Sequence, residues 1–259
     1  MTAQEIVVAT MTRARDEAEA RTLEAALEIL RSHGLRVFAT DGGSTEGFLA
    51  RLTGLPGFTL RTSSGAPRLV RQVKSSIAAA LGEGARAILY TEPDKAWFFS
   101  NGLIRLIECW RLAAQPGLVL AARSPASFAT FPPFQRRTEG LVNDLCERLI
   151  GHRGDYSYGP FVMDRALAAR VLTMPDDIGW GWRTCLFGLA GRLGYSQSWY
   201  IDDVPCPDDQ RSESFGDQLH RLKQLEENSN GLMLAAVSPL DPDLSAGVRF
   251  GETAPRIPR

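Results

Sequence analysis

Glu92-Pro93-Asp94 sets two carboxylates one residue apart, one residue after the apolar run Ala87–Tyr90 and one residue before Ala96-Trp97-Phe98. Hard carboxylate oxygens at that spacing suit magnesium or manganese, which also bind diphosphate oxygens. Such a cation neutralises phosphate charge and helps a diphosphate leave. The proline between the acids forbids a continued central strand and pushes them to the strand's end. The plainer alternative is a solvated turn. Lys95, next to the pair, either neutralises one of its acids or reaches a phosphate itself.

Other groups with chemical potential fall at the ends of other apolar runs: "ATMTR" with Thr10 and Arg13, "TDGGS" with Asp41, and "RTSSG". The elements that must carry them alternate. Strands are expected over 5–10, 35–40, 57–62, 85–91 and 118–123, from their buried-strand composition. Helical periodicity covers 16–34, 67–84 and 101–117. This alternation predicts a largely parallel α/β sheet covered on both faces, with ligands outside the carboxyl ends of its strands. The second half is less regular. It offers helices over 133–151, 179–194 and 215–236, a Gly-Pro turn and short helix within 155–172, and a strand within 195–207. From Ser238 the chain is Pro-rich and aperiodic, as an extended or disordered arm would be. The expected organisation is 1–123, 124–237 and a tail over 238–259.

Composition narrows the function. The 29 Lys and Arg residues nearly balance 30 Asp and Glu, for a net charge of −1. No global field draws the chain to nucleic acid or an anionic membrane. The four cysteines form no CxxC pair, so neither a zinc site nor a disulfide framework is expected. The N-terminus turns charged too soon for a signal peptide, and no apolar run reaches about 20 residues. The expected location is the cytoplasm, with a homodimer left open.

The order strand, "TDGGSTEGF", helix, "KSSIAAALGEGARAILYTEPDK" resembles the nucleotide half of GT-A glycosyltransferases of the family-2 type, over roughly residues 5–100. "YGPFVMDRALAARVLTMPDDIGWGW" is similar to the acceptor segment of glucosyl-3-phosphoglycerate and mannosylglycerate synthases. The resemblance implies a Rossmann-like GT-A fold and a glycosyltransferase. Its donor would be a nucleotide-diphosphate sugar, its acceptor an unknown small molecule or glycan, and its cofactor magnesium or manganese.

The resemblance also implies roles. Asp41 stands where the family contacts base and ribose, although an Asx-turn is the alternative. Thr10 and Arg13 stand where a loop wraps the nucleotide, and Lys74 where a basic residue approaches the diphosphate. Glu92 and Asp94 occupy the Asp-x-Asp positions, with Asp94 the metal ligand and Glu92 acting through ribose or a metal-bound water. A third ligand would come from Asp208, Asp209, Gln210 or His220, with Asp209 preferred. Asp177, in the pair Asp176-Asp177, would be the base, or else only a helix cap. Trp180 and Trp182 stack on a sugar or fill the core. Two further readings stay open: a nucleotidyltransferase, and a non-catalytic nucleotide-binding or interaction module.

Overall fold

The computed structural model describes residues 5–63, 68–113 and 117–239, apart from the side chain of Asp209. The first half runs β1 (Ile6–Thr12), α1 (Glu17–Ser32), β2 (Val37–Asp41), α2 (Glu46–Thr53), β3 (Phe58–Thr62), α3 (Leu69–Gly82), β4 (Ala87–Tyr90), α4 (Ala96–Asn101), α5 (Leu103–Leu112) and β5 (Gly117–Arg123). The second half adds α6 (Pro125–Phe128), α7 (Pro133–Ile150), β6 (Phe161–Asp164), α8 (Arg165–Val171), α9 (Gly181–Arg192), β7 (Ser196–Asp202) and α10 (Phe215–Val237). The expected tail lies, from residue 240, outside the described residues.

One seven-stranded sheet has the order β3-β2-β1-β4-β6-β5-β7. Six strands run parallel to one another, and β6 is antiparallel to both β4 and β5. Strand alternation sends Val7, Ala9, Ile88, Tyr90, Phe161 and Met163 into one core and Ile6, Val8, Leu89 and Val162 into the other. Helices α3, α8 and α9 cover the first face, and α1, α4 and α5 the second. Helix α1 starts where Asp16 accepts the Glu19 amide at 2.9 Å, with Glu17 and Glu19 in its first turn facing the positive end of the helix dipole.

The expected α/β architecture holds, with local differences. Residues 161–164, expected to lie between a turn and a helix, form β6 in mid-sheet. Helices α2 and α4 fill stretches to which the sequence reading assigned no element. Six to eight residues are too short to display a helical period, and a four-residue buried strand such as β6 shows no alternation of its own. Trp182 is core, not a sugar platform. It meets Tyr90 edge-on at 4.6 Å, and Phe161 contacts Phe187 in the same way at 5.1 Å. Such pairs contribute about 0.5–1.5 kcal/mol each beyond burial, and they pin α9 against β4 and β6. Among the described residues no helix is long and apolar enough to cross a membrane.

Candidate functional site

The carboxyl ends of β1, β4, β5 and β7 and the start of β6 share one sheet edge. A cavity of about 790 Å³ opens there. Its wall runs from Met11, Thr12 and Arg13 past Glu92–Phe98 to Arg123, Tyr156–Tyr158 and Trp180. Helix α10 closes it with Arg221, Gln224 and Asn228.

Glu92 and Asp94 both line this cavity, but they face different partners. Asp94 is exposed and accepts from Lys95 Nζ at 2.9 Å. Burial alone would lower the Lys95 pKa, yet Asp94 and Glu92 outweigh it and raise it, so the ammonium stays charged. Glu92 is 9 % exposed and turns toward the second half, where its Oε1 accepts from Arg183 at 3.2 Å. Its Oε2 packs on Gly159, whose φ of +130° suits glycine and where a Cβ would sit 2.1 Å from that oxygen. The ribose role expected of Glu92 therefore does not match its orientation.

Arg13 lines the cavity, exposed, on the loop after β1. Thr10 does not: it is fully buried and donates to the Thr91 carbonyl at 2.8 Å, tying β1 to β4. Asp41 does not either. It is 2 % exposed and accepts from Gly43 N at 2.7 Å, Ser44 N at 2.9 Å and Thr12 Oγ1 at 3.1 Å. The Asx-turn alternative describes it. Ser44 in turn accepts the Ala14 amide at 2.8 Å, so Asp41 supports the loop that carries Arg13 without touching the cavity.

Lys74 is turned away from the cavity. It binds Asp176 at 2.7 Å and the Met174 carbonyl, tying α3 to the loop after α8. Hydrogen bonds from Lys74 and Arg71 hold the Asp176 carboxyl down to about 2. Asp177 is exposed and absent from the cavity wall, so the base expected there is misplaced. Its short loop lies on the α3 side of that strap. His220 lies on the surface of α10 and off the wall; partial desolvation by its neighbours and the charge of Arg221 lower its pKa. Asp208 pairs with Arg211 at 2.9 Å, while Gln210 lines the cavity. The Asp209 side chain lies outside the described residues.

Several lining groups escaped the sequence reading. Gln72 packs its amide against Gly42 at the β1 end. Arg123 is buried between Asp155 and Glu139, at 2.7 Å from each, with Phe131 and Phe128 rings 4.6 and 4.7 Å from its guanidinium. Burial works against its charge, and Glu139 and Asp155 outweigh it, so its pKa is raised. The available signal was Arg123 closing an apolar strand.

Among the described residues no group of three or more His, Cys, Asp or Glu side chains is placed to hold a metal ion. Asp94 still supplies one exposed carboxylate on the wall. That fits a hard cation whose other ligands are substrate phosphate and water oxygens; it does not fit a cage built from protein alone.

No family model matches the chain, and no curated protein matches it. Solved structures do. Glucosyl-3-phosphoglycerate synthase from Mycobacterium tuberculosis, in complex with Mn2+, uridine diphosphate and phosphoglyceric acid, is 14 % identical with a TM-score of 0.60, covering 91 % of this chain and 80 % of that one. Rv0371c from M. tuberculosis H37Rv is 16 % identical with a TM-score of 0.53, covering 87 % and 98 %. A further mycobacterial protein reaches 0.64 at 15 % identity, covering 89 % and 75 %. The fold is GT-A. The GT-A sheet puts the cavity at its carboxyl edge, with Asp94 and Lys95 midway along the wall.

Proposed function

We propose that the chain transfers a glycosyl group from a nucleotide-diphosphate sugar to an acceptor hydroxyl, with magnesium or manganese bound alongside the diphosphate. The observation that carries this reading is the cavity at the GT-A sheet edge, with Asp94, Lys95 and Arg13 on one wall. The manganese and uridine diphosphate in the glucosyl-3-phosphoglycerate synthase complexes support it.

The residues divide the work. The Gln72 amide, able to donate and accept, serves the nucleoside end. Arg13 and Lys95 hold the diphosphate and offset its charge as it departs. Asp94 would hold the cation, which when bound would supply additional counter-charge to the leaving group. Lys95 then exchanges its partner Asp94 for a phosphate oxygen. Gly159 and Arg183 fix Glu92 on the far side of Asp94, facing the acceptor.

Calorimetry with UDP- and GDP-hexoses, with manganese and with chelator, tests this reading. One donor is expected to bind with metal and more weakly in chelator. Equal affinity in both removes the metal role. Absence of binding to every donor removes the glycosyltransferase reading. The Lys95–Asp94 and Arg183–Glu92 pairs already neutralise the acidic motif, which is what a non-catalytic binding module would display. Donor binding without hydrolysis or transfer would favour that second reading.

A further inference from the structure

The second-half end of the cavity carries three guanidiniums, and each already has its counter-charge. Arg123 sits between Asp155 and Glu139. Arg183 sits on Glu92. Arg221 lies 3.6 Å from Glu213 and 3.8 Å from Glu139. Three cations thus face four carboxylates. Among the described lining residues, the remaining cations, Arg13 and Lys95, stand on the donor side. A phosphate or carboxylate entering this end would meet no uncommitted positive charge. It would lose its hydration and either pull an arginine from a buried pair or face Glu92 and Glu139 directly.

What this end does offer is neutral. Gln210, Gln224 and Asn228 present amides, and Trp180 and Tyr158 present half-buried rings. The Glu92–Arg183 pair adds a sharper feature. Glu92 Oε2 and Arg183 Nε are both buried without a hydrogen-bond partner. One is an acceptor and the other a donor, and a hydroxyl is both at once. Glu92 and Arg183 both line the cavity, so a hydroxyl can serve both atoms after a turn of the carboxylate that also moves Oε1 from its present contact with Arg183.

We propose that this end binds a neutral polyhydroxylated acceptor, a sugar or polyol, with one hydroxyl set on the Glu92–Arg183 pair. The inference rests on the glycosyltransferase reading and names its acceptor class. It differs from the phosphoglyceric acid held by the glucosyl-3-phosphoglycerate synthase complex.

The test uses the full chain with the donor selected by calorimetry and matched acceptors: glycerol against glycerol 3-phosphate and glycerate, and glucose against glucose 6-phosphate. Products are read by mass spectrometry. The neutral member of a pair is expected to win by about tenfold or more in kcat/KM, as a charge mismatch in a polar site dictates. Preference for the charged member, or no transfer to any neutral acceptor while the donor still binds, overturns the proposal. Loss of donor binding would instead remove the underlying reading. Glu92→Gln is expected to raise the KM for the best neutral acceptor while the donor Kd stays close to the parent's, with a lower melting temperature because buried Arg183 loses its counter-charge. An unchanged KM overturns the role of Glu92.

Discussion

The two ends of the cavity place their positive charge differently. At the end proposed for the donor, hydrogen bonds without an ion pair hold the frame: Thr10 on Thr91, and Gly43, Ser44 and Thr12 on Asp41. Arg13 stays exposed and Lys95 keeps only an exposed carboxylate as partner. At the end proposed for the acceptor the arginines are the frame, buried and locked to acids. An uncommitted cation at a cavity wall is a ligand group; a buried and neutralised one is a structural tie. Residue type alone does not distinguish them.

The largest expected effect follows from Arg123. Arg123→Ala leaves Asp155 buried without its counter-ion and Glu139 with only Arg221 at 3.8 Å, and breaking a buried pair this way costs about 3–5 kcal/mol. Arg13→Ala, at the exposed end, should change stability by less than about 0.5 kcal/mol. Denaturant titration of both variants measures the contrast. Equal stabilities would erase it.

Asp94 and Lys95 come next. Asp94→Asn keeps the shape and removes the charge that faces the cation. Donor turnover should fall by about 100-fold or more, with the unfolding midpoint unchanged because an exposed strand-end carboxylate packs against little. Lys95→Met should weaken the donor Kd by about tenfold, the scale of one charge-assisted contact. If Asp94→Asn turns over like the parent, the Glu92-Pro93-Asp94 stretch is only a turn.

The first half was legible because each of its longer elements displays a full period, so strand ends and the site edge could be placed. Asp94 and Arg13 followed from that. Asp41 and Thr10 show the limit: both stand at or near strand ends, but strand-end position does not say whether a side chain turns to the cavity or back to the frame. The wall proposed for the acceptor is assembled from the end of β5, α7, the stretch before β6, α9 and α10, distant in sequence and joined only by packing. The aromatic contacts of Trp182 orient α9, and neighbouring Arg183 reaches Glu92 as a result. No local spacing announces that pair.

The smallest effect tests how the two halves are joined. Lys74, expected at the diphosphate, instead bridges α3 to Asp176 with Arg71 beside it. The Asp176 pKa is depressed by hydrogen bonds from Lys74 and Arg71, to about 2, below an unfolded value of about 3.9. A depressed acid contributes stability above the unfolded pKa and loses it as pH falls through the folded one. The strap should therefore act fully above about pH 5 and fade toward pH 2. Solvent screens such an exposed pair, so the change will be modest. Denaturant midpoints between pH 5 and 2.5 should fall slightly more for the parent than for Asp176→Asn. Lys74→Met should likewise flatten the acid limb and leave the donor Kd unchanged. A weakened donor Kd in Lys74→Met would return this lysine to the diphosphate and make the strap its resting place between donors.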